Sequence, residues 1–456
     1  MQPRLKPVAD QRLASILASF TTRFQQFRQM GLAEPELALY FKERARAAKL
    51  TFLADAGHWL GVLADALESQ GAAVHFAENA AEARRVILGI CQAAGAKSVV
   101  KSKSMVCEEV RLNPALEQAG LTVSETDLGE FIIQLAGETP FHILGPALHK
   151  DRRQVAELFA EKLGERVSDE PAELTQCARR VLRKRFLEAE VGISGVNIAA
   201  CQSGTLAVIT NEGNGRFCTS LPPVHIAVMG LEKAVPTLAD LALIAEYLPR
   251  AAIGAPLSSY ASWVGGPAAL YGGHGPRQSH VVILDNGRSG ILASPYWEIL
   301  LCLRCASCLN HCPVYGLAGG HAYGGIYTGP MGSVLTALLE DQPPADDLPH
   351  ASSLCGLCRE KCPMGIDLPG LLLRLRQESP RPPSGFLPNL AAQVLQSRAL
   401  FEATCQVARP ALAALEMLPR PALPPGPWRG WRQGRSLPQV PGSTLLGSRG
   451  KEDGHG

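Results

Sequence analysis

Apolar residues recur at helical spacing early in the chain. Leu13, Ile16, Leu17 and Phe20 share one face, and the pattern predicts helix over residues 9–70. The period then changes. From about residue 72 to 165, short β-rich runs (AAVHFA, SVVKS, LTVSE, FHILG) are separated by longer stretches with helical spacing. Strands alternating with helices predict βαβ units and a parallel sheet. A longer helix is expected at Glu173–Ala189. Its Arg179, Arg180, Arg183, Lys184 and Arg185 read as a solvated basic face. VGISGVNIAACQSGTLAVIT comes next, β-rich, with a Ser203–Gly204 turn suited to a hairpin. VHIAVMG reads as a strand, and TLADLALIAEYLPR as a helix capped by Thr237. HVVILDNGR (280–288) is the last expected strand. Beyond it, residues 290–375 are helical, glycine-punctuated and cysteine-rich.

This pattern divides the chain of 456 residues into four expected parts. Residues 1–70 form a helical segment packing on the next domain, and 71–289 an α/β domain. Residues 290–380 form a small helical domain. Residues 381–456, which hold 11 prolines, form an amphipathic helix (Asn389–Val407) and a Pro/Arg-rich tail expected to be irregular. Hydrophobic residues are 46% and charged residues 19% of the chain, which excludes global disorder and a collagen-like fibre. A net charge of +2 gives no overall field toward nucleic acid. No apolar run approaches the ~18 residues of a spanning helix. The opening MQPRLKPVADQRLAS has no hydrophobic signal core, so a cytoplasmic chain is expected. Trp428 and Trp431, beside arginines, are candidate anchors for a partner or for peripheral contact with the inner face of the membrane.

Cysteine placement carries the chemistry. Of 13 cysteines, seven fall in two tight clusters between Cys302 and Cys362. A disulfide framework would instead spread pairs through a small secreted domain. The first cluster is Cys302-x2-Cys305-x2-Cys308-x3-Cys312-Pro313. In this spacing three thiolates wrap one iron–sulfur cube, and the fourth, before proline, faces the other cube. Zinc needs four ligands, commonly from two separated C-x2-C pairs, and gives no reason for the third x2 cysteine. The second cluster, Cys355-x2-Cys358-x3-Cys362-Pro363, lacks the leading cysteine, and Ser352 occupies its position. Crossed ligation then gives cluster 1 the residues Cys302, Cys305, Cys308 and Cys362. Cluster 2 receives Cys312, Cys355 and Cys358. Its completion is open: a three-iron cluster, a four-iron cluster with a non-cysteine or partner ligand, or recruitment of Cys405. The glycine-rich GLAGGHAYGGIYTGPMG between the clusters suits tight wrapping, and His321 and Tyr323 within it are placed to hydrogen-bond near a cube.

Several blocks together resemble the bacterial lactate-utilisation iron–sulfur protein family. They are KSKSMVCEEVRLNPALEQAGLTVSETDLGEFIIQLAGETPFHILGPALHK (101–150), TNEGNGR (210–216), VHIAVMGLEKAVPTLADL (224–241) and LDNGRS (284–289). GGHAYGGIYTGP and SLCGLCREKCPMGIDLP (353–369) complete the set. The resemblance implies a Rossmann-like α/β lactate-utilisation domain, related to sugar-phosphate isomerase and CoA-transferase folds. An all-α two-cluster ferredoxin-like domain would come after it. The resemblance also implies two 4Fe-4S-type clusters on the seven cysteines, a role in oxidising L-lactate to pyruvate, two companion subunits and a downstream electron acceptor.

Other candidates lie upstream of the cysteine clusters. Lys101, Lys103 and Ser104 follow a strand at a helix start, where an anion is favoured. Asn211, Glu212, Gly213, Asn214 and Gly215 form a polar glycine loop suited to ligand contact. His142 and His149 read as structural. No dinucleotide fingerprint or P-loop occurs. The leading expectation is an electron-transfer subunit without an identifiable catalytic residue set. The alternatives are an α/β-domain enzyme on a small acid, phosphate or CoA-type substrate with accessory clusters, or a non-redox metal-binding module.

Overall fold

The computed structural model describes residues 8, 10–268, 274–339, 347–378 and 386–417. Three helices open it, at Gln11–Gly31, Pro35–Ala54 and Ala56–Ser69. Ten strands come after them: β1 (Ala73–Ala77), β2 (Ser98–Lys101), β3 (Thr122–Glu125), β4 (Val191–Gly195), β5 (Ile198–Ala200), β6 (Thr205–Thr210), β7 (Val224–Gly230), β8 (Ala234–Val235), β9 (Tyr260–Val264) and β10 (Gln278–Leu284). Six of them form a sheet in the order β1-β10-β7-β4-β2-β3, with every neighbouring pair parallel. A parallel sheet is covered on both faces, so its strands read as continuous apolar runs. β7 (VHIAVMG) is buried at every position. The other four strands form a small sheet ordered β8-β5-β6-β9. Its β5–β6 pair is the antiparallel hairpin expected from the Ser203–Gly204 turn.

Topology locates the chemistry. From β2 the chain winds outward to β3, then returns to β4 on the other side of β2 and continues to β7 and β10. The winding reverses between β2 and β4. In open α/β sheets, ligands sit in the crevice beyond the C-terminal ends of the strands at such a reversal.

The N-terminal helices are not a separate layer. Leu17, Phe41, Phe52 and Leu63 share one apolar core with β5–β7 and with Ile299, Leu309, Tyr315, Met331 and Leu372 of the cysteine-rich region. The first three expected parts are therefore one compact unit, and Pro380–Gly456 forms a second. Tyr247 stacks on Phe41 at 5.2 Å and donates to the Pro363 carbonyl at 2.9 Å, tying the second cysteine cluster to this core.

Three expectations are corrected. FHILG (141–145) is not a strand. The Leu144 and Gly145 amides donate to His142 Nδ1, and the Phe141 amide donates to the Pro146 carbonyl, so the backbone is satisfied without a sheet neighbour. Strands β8 and β9 were not anticipated. In the second unit, the single helix expected at Asn389–Val407 is two helices, Phe386–Gln396 and Arg398–Met417. Ser397 makes the break: its Oγ accepts from the Leu400 amide. Cys405 lies in the second of these helices. The Pro/Arg-rich tail with Trp428 and Trp431 lies outside the described residues.

A buried ion network joins the sheet to the cysteine-rich region. Arg288, just after β10, makes a bidentate pair with Glu109 at 2.8 and 2.7 Å and a third bond to Glu232 at 2.6 Å. Tyr327 donates to Glu109 at 2.7 Å, and Arg304 reaches Glu232 at 3.3 Å. The Lys49 ammonium donates to the Glu232 carbonyl. Removing one partner of a buried pair strands the other charge, at a cost of about 3–5 kcal/mol. Arg288→Ala is therefore expected to lose about 3–5 kcal/mol of unfolding free energy in urea titration, whereas the exposed Arg398→Ala should change it by less than about 0.5 kcal/mol.

Candidate metal centre

Each cysteine cluster is built on the same backbone device. Arg304 and Ala306, flanking Cys305, both sit at φ 61°. Leu354 and Gly356, flanking Cys355, sit at φ 53° and 85°. Left-handed conformation costs a non-glycine residue roughly 1–2 kcal/mol and is retained chiefly at functional turns. In the first cluster it curls the chain so that Cys302, Cys305 and Cys308 line one cavity. Short helices come next, at Ser307–Asn310 and Leu357–Glu360. Pro313 then opens the helix Pro313–Ala318, with Cys312 as its N-cap residue.

The fold sorts the seven cysteines into two groups. Cys302, Cys305, Cys308 and Cys362 wall one apolar cavity with Met331 and Ile366. Cys312, Cys355 and Cys358 lie close enough to affect one another electrostatically, outside that cavity. Burial pushes the Cys305 thiol up to about 12, and Cys302 and Cys362 add to the rise. Cys358 is likewise pushed up to about 12, by burial and then by Cys312 and Cys355. Thiolates crowded in such a place require a cationic group, and binding one releases protons. Three cysteines at x2 intervals, with a fourth before proline, fit a polynuclear cluster. Tyr323 also fits one. It is buried near Cys312 and Cys308, and its hydroxyl has no hydrogen-bond partner among the described residues. His321 instead bonds the Thr139 carbonyl at 2.8 Å.

A larger cavity of about 290 Å³ opens at the switch point beyond β2 and β4. Leu303 and Arg304 line both this cavity and the four-thiol cage, so the two share a wall. Lys103, Ser104, Asn211 and Glu212 line it as well. Lys101 does not: it is fully buried and paired with Glu125 at 2.7 Å and Glu108 at 3.0 Å. Ser104 caps the helix Met105–Glu109 through the Cys107 amide. Gly213, at φ 77°, is the N-cap residue of the helix Asn214–Ser220. Burial and the neighbouring Asp127 push Glu212 up to about 7. His142 is structural, bonding Asn310 at 3.0 Å. The sequence reading missed Glu109, Glu232, Lys233, Arg288 and Tyr327. The blocks GLEK and DNGR contain three of them, each just past the C-terminal end of a central strand, and that position was the available signal.

Comparison with known proteins agrees with this architecture. The LUD domain profile matches residues 60–284, and the 4Fe-4S dicluster domain profile matches 298–366. The chain is thus an iron–sulfur protein that joins a LUD domain to a helical dicluster domain. "Lactate utilization protein B" of Bacillus thuringiensis (strain Al Hakam) is 40% identical over 427 residues, covering 92% of this chain and 89% of its own. The protein of the same name from Bacillus cereus (strain AH187) matches to the same extent. The chain belongs to the lactate utilization protein B family, and its role is that of a lactate-utilisation iron–sulfur protein. A DUF162-family crystal structure from Deinococcus radiodurans aligns with 50% of this chain and 97% of its own, at 15% identity and a TM-score of 0.30. The fold described here rests on the strand topology, not on that alignment. Among the described residues no helix is long and apolar enough to cross a membrane.

The buried ion network sets a pH dependence. Burial alone would raise Glu232, but Arg288 and Arg304 outweigh it and hold the carboxyl down at about 2, from an ordinary value of 4.5. A depressed carboxyl stabilises the fold above its unfolded value. That stabilisation is lost as pH falls from about 4.5 toward 2. Urea midpoints measured across this window should fall with acid in the native chain, and Glu232→Gln should flatten the fall while lowering the midpoint at pH 7.

Proposed function

We propose that the chain is the electron-transfer subunit of an assembly that oxidises L-lactate to pyruvate. In this reading cluster 1 is held by Cys302, Cys305, Cys308 and Cys362. Cluster 2 is held by Cys312, Cys355 and Cys358, as a four-iron cluster whose fourth ligand is not cysteine. Lactate oxidation releases two electrons and two protons, and iron–sulfur clusters at these sites supply one-electron steps. The protein's part is to bury the cages, aim backbone donors at the sulfurs and keep the two sites in one rigid unit. The Arg304 amide already points at Cys302 Sγ, at 3.4 Å.

The observation that carries the reading is the shared wall of Leu303 and Arg304 between the four-thiol cage and the switch-point cavity. It gives electrons a place to enter next to cluster 1. Crossed ligation by Cys312 and Cys362 then links the two cages through the protein itself. The acceptor lies outside the chain, in the respiratory chain, and two companion subunits complete the assembly. We place the protein in the cytoplasm, at the inner face of the membrane where it meets that acceptor.

Cys308→Ala is the discriminating variant. In the anaerobically purified assembly, it should abolish lactate-dependent reduction of an external acceptor and remove mainly one of two EPR signals, leaving the other. Undiminished acceptor reduction in the variant would refute the relay.

A further inference from the structure

We propose that the switch-point cavity is a binding site for a small hydroxy carboxylate, with Lys233 and Arg304 forming its anion-binding end. Three buried polar groups among its lining residues have no hydrogen-bond partner among the described residues: Ser102 Oγ, Asn214 Oδ1 and Arg304 Nη1. Ser102 is 1% exposed, Asn214 4%, and the Arg304 side chain 8%. Leaving such groups unpaired costs of order 1–3 kcal/mol each, which a ligand returns by bonding them.

The charges around the cavity are unevenly committed. Glu232 is taken up by Arg288 at 2.6 Å and by Arg304 at 3.3 Å. Asp127 caps the helix Leu128–Ala136, and Glu212 accepts from the Leu128 amide at 3.0 Å. Lys103 and Lys233 both line the cavity, and neither forms an ion pair with a described residue. Three cations, Lys103, Lys233 and Arg304, line the cavity, and the unpartnered Arg304 Nη1 suits a carboxylate. Asn214 already spends its Nδ2 on Thr126 at 3.4 Å, so its Oδ1 is an acceptor short of a donor. A ligand hydroxyl supplies one, and a simple carboxylate does not. Because Arg304 also walls the four-thiol cage, a bound acid lies next to Cys302 and its neighbours.

This deepens the relay reading and takes its probe from it. Calorimetric titration of the anaerobically purified full-length holoprotein would compare L-lactate, propionate and inorganic phosphate. L-lactate should bind with one site per chain, with propionate and phosphate at least tenfold weaker. Lys233→Ala and Asn214→Ala should each raise the Kd for L-lactate at least tenfold while iron content and the visible spectrum stay unchanged. No binding of L-lactate, equal affinity in both variants, or propionate or phosphate as tight as lactate would each overturn the proposal. Intact binding with failed electron transfer would sink the relay and leave this site standing.

An independent observation completes the second cage. We infer that Ser352 Oγ is its fourth ligand. The intervals 302-305-308-312 recur as 352-355-358-362, with Ser352 in the place of Cys302. The left-handed pair flanking the middle cysteine recurs too. So does the local hydrogen bond: the Arg304 amide donates to Cys302 Sγ at 3.4 Å, and the Leu354 amide to Ser352 Oγ at 3.1 Å. Arg376 clamps this stretch through the Pro349 and Ser352 carbonyls, both at 2.8 Å. On coordination the serine hydroxyl gives up its proton to solvent. With Ser352→Ala, anaerobic iron analysis and EPR of the oxidised protein should show loss of about one iron per chain and a new three-iron signal. Ser352→Cys should keep the native iron content. Unchanged iron and spectra in Ser352→Ala would overturn the assignment.

Discussion

Arg288 is where this protein is held together. It lies just beyond the central strand β10, fully buried, and a buried guanidinium is tolerable only when its charge and donors are met. Glu109 comes from the end of the helix after β2, and Glu232 from the turn after β7. Tyr327 and Arg304 arrive from the cysteine-rich region and close the network from the other side. One set of paired charges therefore fixes the end of the parallel sheet against the loop that carries the first cysteines. The apolar core already packs the two regions together, and this network aligns the strand ends with the first cysteine loop, where cavity and cage share a wall.

In the relay we propose, the same arrangement lets a sheet with no dinucleotide fingerprint serve oxidation–reduction: the switch point offers a cavity, and the cage behind Leu303 and Arg304 a route out for electrons. The apolar core that runs from the N-terminal helices into the cysteine-rich region keeps that route rigid. Among the described residues, five non-glycine residues are left-handed, and three of them, Arg304, Ala306 and Leu354, flank Cys305 and Cys355.

How much could be read from the sequence depends on how local each feature is. Cysteine spacing is local, because a cluster must be wrapped by a continuous loop; in space, Cys302, Cys305, Cys308 and Cys362 line one cavity, and the other three cluster cysteines lie outside it. The strands of the parallel sheet are local too, since burial on both faces leaves uninterrupted apolar runs such as VHIAVMG. FHILG looked the same and failed because His142 satisfies the backbone that a sheet neighbour would otherwise have met. Lys101 and Lys103 differ by two positions and have opposite fates: one is spent on Glu125 and Glu108, the other faces the cavity. Residue type shows the charge but not its direction. Glu109, Glu232, Arg288 and Tyr327 are spread over more than 200 positions, and only strand order brings them together.

The central claim is that one folded unit holds two iron–sulfur clusters close enough to exchange electrons. EPR spin quantitation of the anaerobically purified, fully reduced protein tests it most directly. Two spins per chain are expected, with lines broadened by mutual magnetic interaction. A single isolated centre, or two centres with no interaction, would contradict the claim.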